Sequence, residues 1–230
     1  MKRAVVPLFA LVCCAFASTA CMPGRWYRDY QSLDQVAARA RSKPALRVLF
    51  VGNSFTMGIP AALAKAAGPS GKRVEIGMVA YDRWTLLRHA RSRVTRETIR
   101  GGGWDVVVLQ EQSERPGKWW ERNFFMIPAL GSLAAQAHDQ GAVPVLYQTW
   151  GCRDEFAESN RRVANGCRLA VEKLGGIGIV HVGDAWADEV EHGNIGALFM
   201  PDGKHPTRYG NQVTARVFHN AFRQVTPAIE

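Results

Sequence analysis

The chain has 230 residues, 47% of them apolar and 21% charged, and a formal net charge of +9. That length and apolar content support one well-cored domain and leave little room for a disordered arm. The positive balance suits anionic surroundings such as envelope polymers or phospholipid headgroups. The densest basic set, Arg88, Arg91, Arg93, Arg96 and Arg100, has the spacing of a solvated helix face, so no nucleic-acid partner is expected.

Lys2 and Arg3 precede an apolar stretch from Ala4 to Ala17 that ends among small residues, the three-part pattern of a secretory signal over residues 1–20. The stretch is shorter than the ~20 residues a spanning helix needs. An exported protein is therefore expected, either periplasmic or a membrane-anchored lipoprotein of a bacterium. Cys21 stands where such a lipoprotein carries its acylated cysteine, and two readings stay open: a lipid anchor, or an ordinary cleavage site beside an incidental cysteine. Cys13 and Cys14 leave with the signal, and Cys152 and Cys167 remain. In an oxidising compartment that pair reads as a disulfide.

Residues 21–44 form an Arg-rich lead-in with a possible short helix from Ser32 to Arg41, and residues 45–230 the domain. Strands are predicted at Leu46 to Val51, Arg73 to Val79, Asp105 to Leu109, Val143 to Gln148 and Ile179 to Val182. Helical patterns lie between them at Pro60 to Ala67, Thr85 to Ile99, Phe124 to Gln140 and Glu158 to Leu174, and Thr207 caps a last helix from Arg208 to Arg223. Strand alternating with helix implies an α/β domain with parallel pairing.

Two short pieces of this pattern carry chemistry. The continuous apolar run from Val48 to Val51 reads as a strand buried on both faces, and it breaks off in Gly52-Asn53-Ser54, which puts a serine at the strand's C-terminal edge. Near the other end, Pro201-Asp202-Gly203-Lys204-His205-Pro206 places a carboxylate and an imidazole three residues apart in a turn. Asp202 can hold one ring nitrogen of His205 while the other faces Ser54, the help a serine hydroxyl needs to act as a nucleophile. After the third strand, Gln110 and Gln112 lie two apart, so a continuing strand would turn both to the same side, and either amide could donate to an oxyanion.

The Gly-Asn-Ser start and the Asp-x-x-His finish resemble the SGNH (GDSL-like) hydrolase superfamily, in the right order and across most of the chain after the signal. The resemblance implies a three-layer α/β/α, flavodoxin-like fold with a five-stranded parallel sheet. It also implies hydrolysis of esters, often acetyl groups on sugars, with no cofactor and no metal. Carried over, Ser54 would be the nucleophile, His205 the general base and then acid, and Asp202 the residue that orients His205. The chain departs from the family at Asn53, where Asp is commoner, and at Leu109-Gln110-Glu111-Gln112-Ser113, which replaces Gly-x-Asn-Asp. No counterpart of the second-block glycine stands in Ala80-Tyr81-Asp82-Arg83-Trp84. The substrate expected is an acylated carbohydrate or another ester. The alternatives are a lipase or thioesterase, or a non-catalytic carbohydrate-binding envelope protein on the same fold.

Other features have plainer readings. Trp119-Trp120 is expected to pack a long loop down rather than to stack on a sugar, and Asp184 to cap a helix over residues 185–191. His89, His138, His181, His192 and His219 show no metal-ligand spacing. The sequence leaves the oligomeric state open.

Overall fold

The computed structural model describes residues 33–66 and 73–223; the expected signal and Cys21 lie outside the described residues. The chain runs α1 (Leu33–Ser42), β1 (Ala45–Gly52), α2 (Ser54–Met57), α3 (Ile59–Ala66), β2 (Arg73–Ala80), α4 (Leu86–Arg91), α5 (Arg93–Gly101) and β3 (Val106–Gln110). It continues with α6 (Trp119–Glu121), α7 (Ile127–Asp139), β4 (Val143–Gln148), α8 (Phe156–Leu174), β5 (Gly178–His181), α9 (Val182–Glu191), α10 (Ile195–Leu198) and α11 (Arg208–Arg223).

The five strands pair in parallel in the order β2-β1-β3-β4-β5. In this doubly wound order the chain leaves β1 toward β2 and then returns to the other side of β1 for β3, which opens a crevice at the C-terminal ends of β1 and β3. Alternation along the strands feeds two cores. Val48, Phe50, Val106, Val108, Val145 and Tyr147 pack with Val36, Ile59, Trp186 and Phe218 of α1, α3, α9 and α11. Leu49, Val51, Val107, Leu109 and Leu146 pack with Leu86, Ile99, Leu133 and Val171 of α4, α5, α7 and α8. Each such burial is worth ~2 kcal/mol, and together they hold the strand ends as a fixed edge. This is the three-layer α/β/α arrangement with a five-stranded parallel sheet that the family resemblance implies.

Several local expectations change. The helix expected from Thr85 to Ile99 is two helices, because Ser92 turns extended (φ −75°, ψ 125°) and its hydroxyl accepts from Thr95 N–H to cap α5. The helix expected from Phe124 begins instead with a π-helical turn, Arg122–Met126, before α7. Asp184 does not cap a helix: α9 already starts at Val182, and the Asp184 carboxylate accepts from Gln148 Nε2 at 2.8 Å.

The expected bridge between Cys152 and Cys167 does not form; both are free thiols. The Cys152 carbonyl accepts from the Ser159 hydroxyl at 3.4 Å, beside the first turn of α8, while Cys167 lies eight residues further along the same helix. Eight residues rise ~12 Å, beyond the ~7 Å between Cα atoms that a disulfide spans. Cys167 is instead a core residue, and burial pushes its thiol well above the usual range, which makes it inert.

Nor do Trp119 and Trp120 pack their loop down, since they are 62% and 59% exposed. Buried Arg122 does that work by donating to the Pro116 carbonyl at 2.9 Å, with Met126 beneath it.

Candidate active site

β1 ends in Gly52, and its backbone is crowded. A Cβ there would come within 2.4 Å of both Gln110 Oε1 and Thr56 Oγ1. Glycine is thus what lets β3 close on the turn that carries Ser54. Asn53, 4% exposed, ties that turn in three directions. Its side-chain oxygen accepts from Phe55 N–H at 3.1 Å and caps α2. Its amide donates to the Trp84 carbonyl at 3.1 Å, and its backbone N–H donates to Gln110 Oε1 at 2.8 Å. A fourth tie comes from buried His89, whose Nε2 donates to the Gly52 carbonyl at 2.8 Å and whose Nδ1 faces Thr95 Oγ1 at 3.0 Å. Burial lowers the His89 pKa, only partly offset by the Gly52 bond, so the ring is held neutral. Among the histidines read as core or solvent residues, this one supports the turn, and nothing in its spacing marks it.

Opposite this turn, Asp202 organises the loop before α11. Its Oδ1 accepts from the backbone N–H groups of Lys204 and His205, each at 3.0 Å, and Gly203 supplies the positive φ (66°) that the turn requires. Its Oδ2 lies 2.5 Å from His205 Nδ1. Burial works against ionisation of Asp202, but the bonds from His205 and the two backbone donors outweigh it and bring the carboxyl down to about 2. The loop is pinned from below by Trp150, whose Nε1 donates to the Lys204 carbonyl at 3.0 Å. Trp150 also stacks between Phe55 and Trp186, and the Phe55 ring meets the His205 ring edge-on at 5.2 Å.

These supports bring three of the sequence-derived residues together. Ser54 Oγ lies 3.0 Å from His205 Nε2. With Nδ1–H donating to Asp202, Nε2 is left as the acceptor for the serine hydroxyl, so the arrangement can move a proton from Ser54 to the imidazole. Ser54, His205, Gln112, Ser113 and Arg83 line an open cleft of about 380 Å³ at the crevice between β1 and β3. Arg83 is the only non-glycine with positive φ (55°) among the described residues. It takes a backbone conformation that glycine usually supplies, in the loop where sequence reading found no glycine.

The two glutamines separate. Gln110 is fully buried, and its amide oxygen is taken by Asn53 N–H and by the Thr56 hydroxyl at 2.9 Å, while its NH₂ donates to the Glu111 carbonyl. Its place is inside, holding the serine turn. Gln112 lines the cleft, and its Nε2 makes only a long 3.4 Å contact with Ser113 Oγ. Glu111 between them is a residue that sequence reasoning passed over. It is 1% exposed, its Oε1 accepts from Leu86 N–H at 3.2 Å and Gln112 N–H at 2.7 Å, and its Oε2 has no hydrogen-bond partner.

Asn53→Asp, which would restore the commoner Gly-Asp-Ser form, is expected to be harmful here. The carboxylate can still cap α2, but it cannot donate to the Trp84 carbonyl and would leave two acceptors facing each other in a buried site. A cost of about 1–3 kcal/mol in stability is expected, together with a fall of about tenfold in turnover. Thermal melting and ester kinetics on the variant check both; unchanged values would mean that the Trp84 tie holds nothing.

No family model and no curated protein matches the chain. Solved structures do. A protein from Slackia heliotrinireducens described as a candidate SGNH hydrolase is 26% identical, with a TM-score of 0.63 over 77% of this chain and 98% of that one. A DUF4886 family protein from Bacteroides uniformis is 17% identical, with a TM-score of 0.68 over 78% and 83% of the two chains. A variant of Axe2, an acetyl-xylooligosaccharide esterase from Geobacillus stearothermophilus, is 16% identical, with a TM-score of 0.59 over 80% and 96%.

Proposed function

On an SGNH hydrolase fold whose cleft holds a serine, an imidazole and a carboxylate in hydrogen-bonded series, we propose that this protein is a serine esterase that removes short O-acyl groups, O-acetyl above all, from carbohydrate. The observation that carries the reading is the 3.0 Å contact between Ser54 Oγ and His205 Nε2, with Asp202 on the far side of the ring.

The steps follow from these atoms. His205 Nε2 takes the Ser54 proton as Oγ attacks the acyl carbon, and the tetrahedral oxyanion is held by the Ser54 backbone N–H and the Gln112 amide. The imidazolium, stabilised by Asp202, then gives its proton to the leaving alcohol oxygen. Water enters, gives a proton to His205 and a hydroxide equivalent to the acyl carbon, and the acid leaves as Ser54 regains its proton.

The size of the acyl group is read from the lining. Asn53, Asp82, Arg83, Gln112, Ser113 and Lys204 are polar, and Phe55 is the one large apolar side chain on the wall. A long acyl chain needs apolar burial along its length, at ~0.8 kcal/mol per CH₂, and Phe55, itself 6% exposed, supplies little of it. An acetyl group needs little, and a polyhydroxyl alcohol suits the polar mouth. Activity on acylated sugar also agrees with the acetyl-xylooligosaccharide esterase that shares the fold.

A series of p-nitrophenyl esters tests this. The acetate is expected to be hydrolysed with kcat/KM about tenfold or more above that of the octanoate. Preference for the octanoate would turn the reading to acyl-chain hydrolysis of the lipase or thioesterase kind. Absence of any ester hydrolysis would favour the non-catalytic binding protein.

A further inference from the structure

The segment that follows the candidate site presents four large aromatic side chains to solvent. Trp119 is 62% exposed, Trp120 59%, Phe124 51% and Phe125 36%. Trp119, Trp120 and Phe124 form one cluster, with ring centroids 4.1 Å apart for Trp120 and Phe124, 5.9 Å for Trp119 and Phe124, and 6.2 Å for the two tryptophans. Isolated exposed apolar residues need no explanation, but a contiguous aromatic patch does.

The patch is built on a rigid base. Arg122 beneath it donates to the Pro116 carbonyl, Arg115 pairs with Glu121 at 3.0 Å and lies over the Phe125 ring at 5.6 Å, and the turn below is pressed against Gly166 of α8. A Cβ on Gly166 would sit 1.9 Å from the Pro116 carbonyl oxygen, so that contact is closed. The π-helical turn from Arg122 to Met126 sends Arg122 and Met126 inward while its aromatics stay outside. The backbone that carries the rings is fixed by these contacts before anything binds, which lowers the ordering cost of binding.

A run of ion pairs links the segment that carries the patch to the catalytic cleft. Lys118, one residue before Trp119, pairs with Glu114 at 3.2 Å, and Glu114 pairs with Lys204 at 3.1 Å, next to His205. Glu114 and Lys118, with Glu155 and Arg162 of the α8 end, wall a second cleft of about 170 Å³ beyond that ion pair. Its rim mixes both signs, since Arg162 pairs with Glu155 at 3.4 Å. Alternating donors and acceptors suit the hydroxyls of a neutral sugar chain, whereas an anionic lipid surface would be met by one sign.

We propose that Trp119, Trp120 and Phe124 form a stacking platform for the backbone of a polysaccharide whose acylated residue sits at Ser54, with the Glu114–Lys118 cleft holding the sugars in between. This rests on the esterase reading and extends it from the ester to the polymer that carries it. The platform would act on binding of long substrates and leave the chemistry at Ser54 untouched.

The test compares the wild-type chain with Trp119→Ala/Trp120→Ala, in which both changes are at exposed positions. Affinity electrophoresis through gels containing de-esterified xylan, glucomannan or galactomannan reads binding without reference to catalysis. Wild type is expected to be retarded by at least one of these polymers, and the variant to lose that retardation. On the O-acetylated form of the same polymer, KM is expected to rise about tenfold in the variant, while kcat/KM for p-nitrophenyl acetate stays the same. No retardation of wild type by any of the three polymers would overturn the platform, as would equal retardation of both proteins. Binding to phosphatidylglycerol vesicles that the variant loses, without loss of polymer retardation, would overturn it in favour of a membrane contact. If wild type is retarded but hydrolyses no ester, the esterase reading fails and the platform stands.

Discussion

Ser54→Ala is expected to lower ester hydrolysis by about 10⁴-fold or more, because the hydroxyl is the atom that forms the acyl-enzyme bond and no neighbour can replace it. His205→Ala should be nearly as damaging, since the two act as one unit. Asp202→Asn is a subtler change. Its Oδ1 could still accept from the Lys204 and His205 N–H groups and keep the turn, but an amide N–H₂ would face Nδ1 and favour the imidazole tautomer whose Nε2 carries the proton. That tautomer cannot receive the Ser54 proton, so a loss of about 10²- to 10⁴-fold is expected. In all three variants the melting temperature should move little. Ser54 is half-buried at the start of a short helix, and Asp202 and His205 lie in a partly exposed loop. Steady-state rates on p-nitrophenyl acetate together with thermal melting separate loss of chemistry from loss of fold.

Glu111→Gln is expected to stabilise the protein in alkaline solution. Burial pushes the Glu111 carboxyl up to about 7, against the bonds from Gln112 and Leu86 and the attraction of Arg115, with Glu121 adding to the upward push. Its ordinary value is 4.5. The folded protein therefore holds this proton more tightly than the unfolded chain does, and between those two values the folded state binds more protons. Stability falls as pH rises through that window, at up to ~1.4 kcal/mol per pH unit, or about 3 kcal/mol in all. Glutamine keeps an acceptor for both backbone N–H groups and cannot ionise. Part of the gain is offset by the amide N–H₂ that would stand where Oε2 has no partner. The variant should melt several degrees above wild type at pH 8.5 and no higher than wild type at pH 4.5. A variant less stable at both values would show that the carboxylate is satisfied in the folded protein.

The parts legible in the sequence are those where one residue type has one use. The strand from Val143 to Gln148 was readable because four of its six residues, Val143, Val145, Leu146 and Tyr147, are apolar or β-forming and follow a glycine turn, and the structure places it at those same residues. Gly52-Asn53-Ser54 and Asp202-x-x-His205 were readable as motifs; parallel order brings the first to the C-terminal sheet edge, and the Trp150 tie to the Lys204 carbonyl brings the second there. The misread parts are those where the period changes or the third dimension decides. Gln110 and Gln112 share a face only while the strand lasts, and β3 stops at Gln110, so one glutamine turns inward and the other to the cleft. The cysteine pair failed because fifteen residues of mostly helix keep two ends apart, where fifteen residues of loop would not. Ser92 broke a helix that its neighbours' spacing continued. Glu111, an acid just past a strand, reads as a solvated loop residue in any sequence, and only the packing of α4 over it makes it a buried one.

The central claim, that Ser54 is a nucleophile activated by His205, is tested most directly by locating covalent attack. The protein would be treated with a fluorophosphonate and the labelled peptide mapped by mass spectrometry. One adduct is expected, on Ser54, formed rapidly in wild type and lost in His205→Ala. An adduct on a different serine, labelling that does not depend on His205, or an active esterase left unlabelled would contradict it.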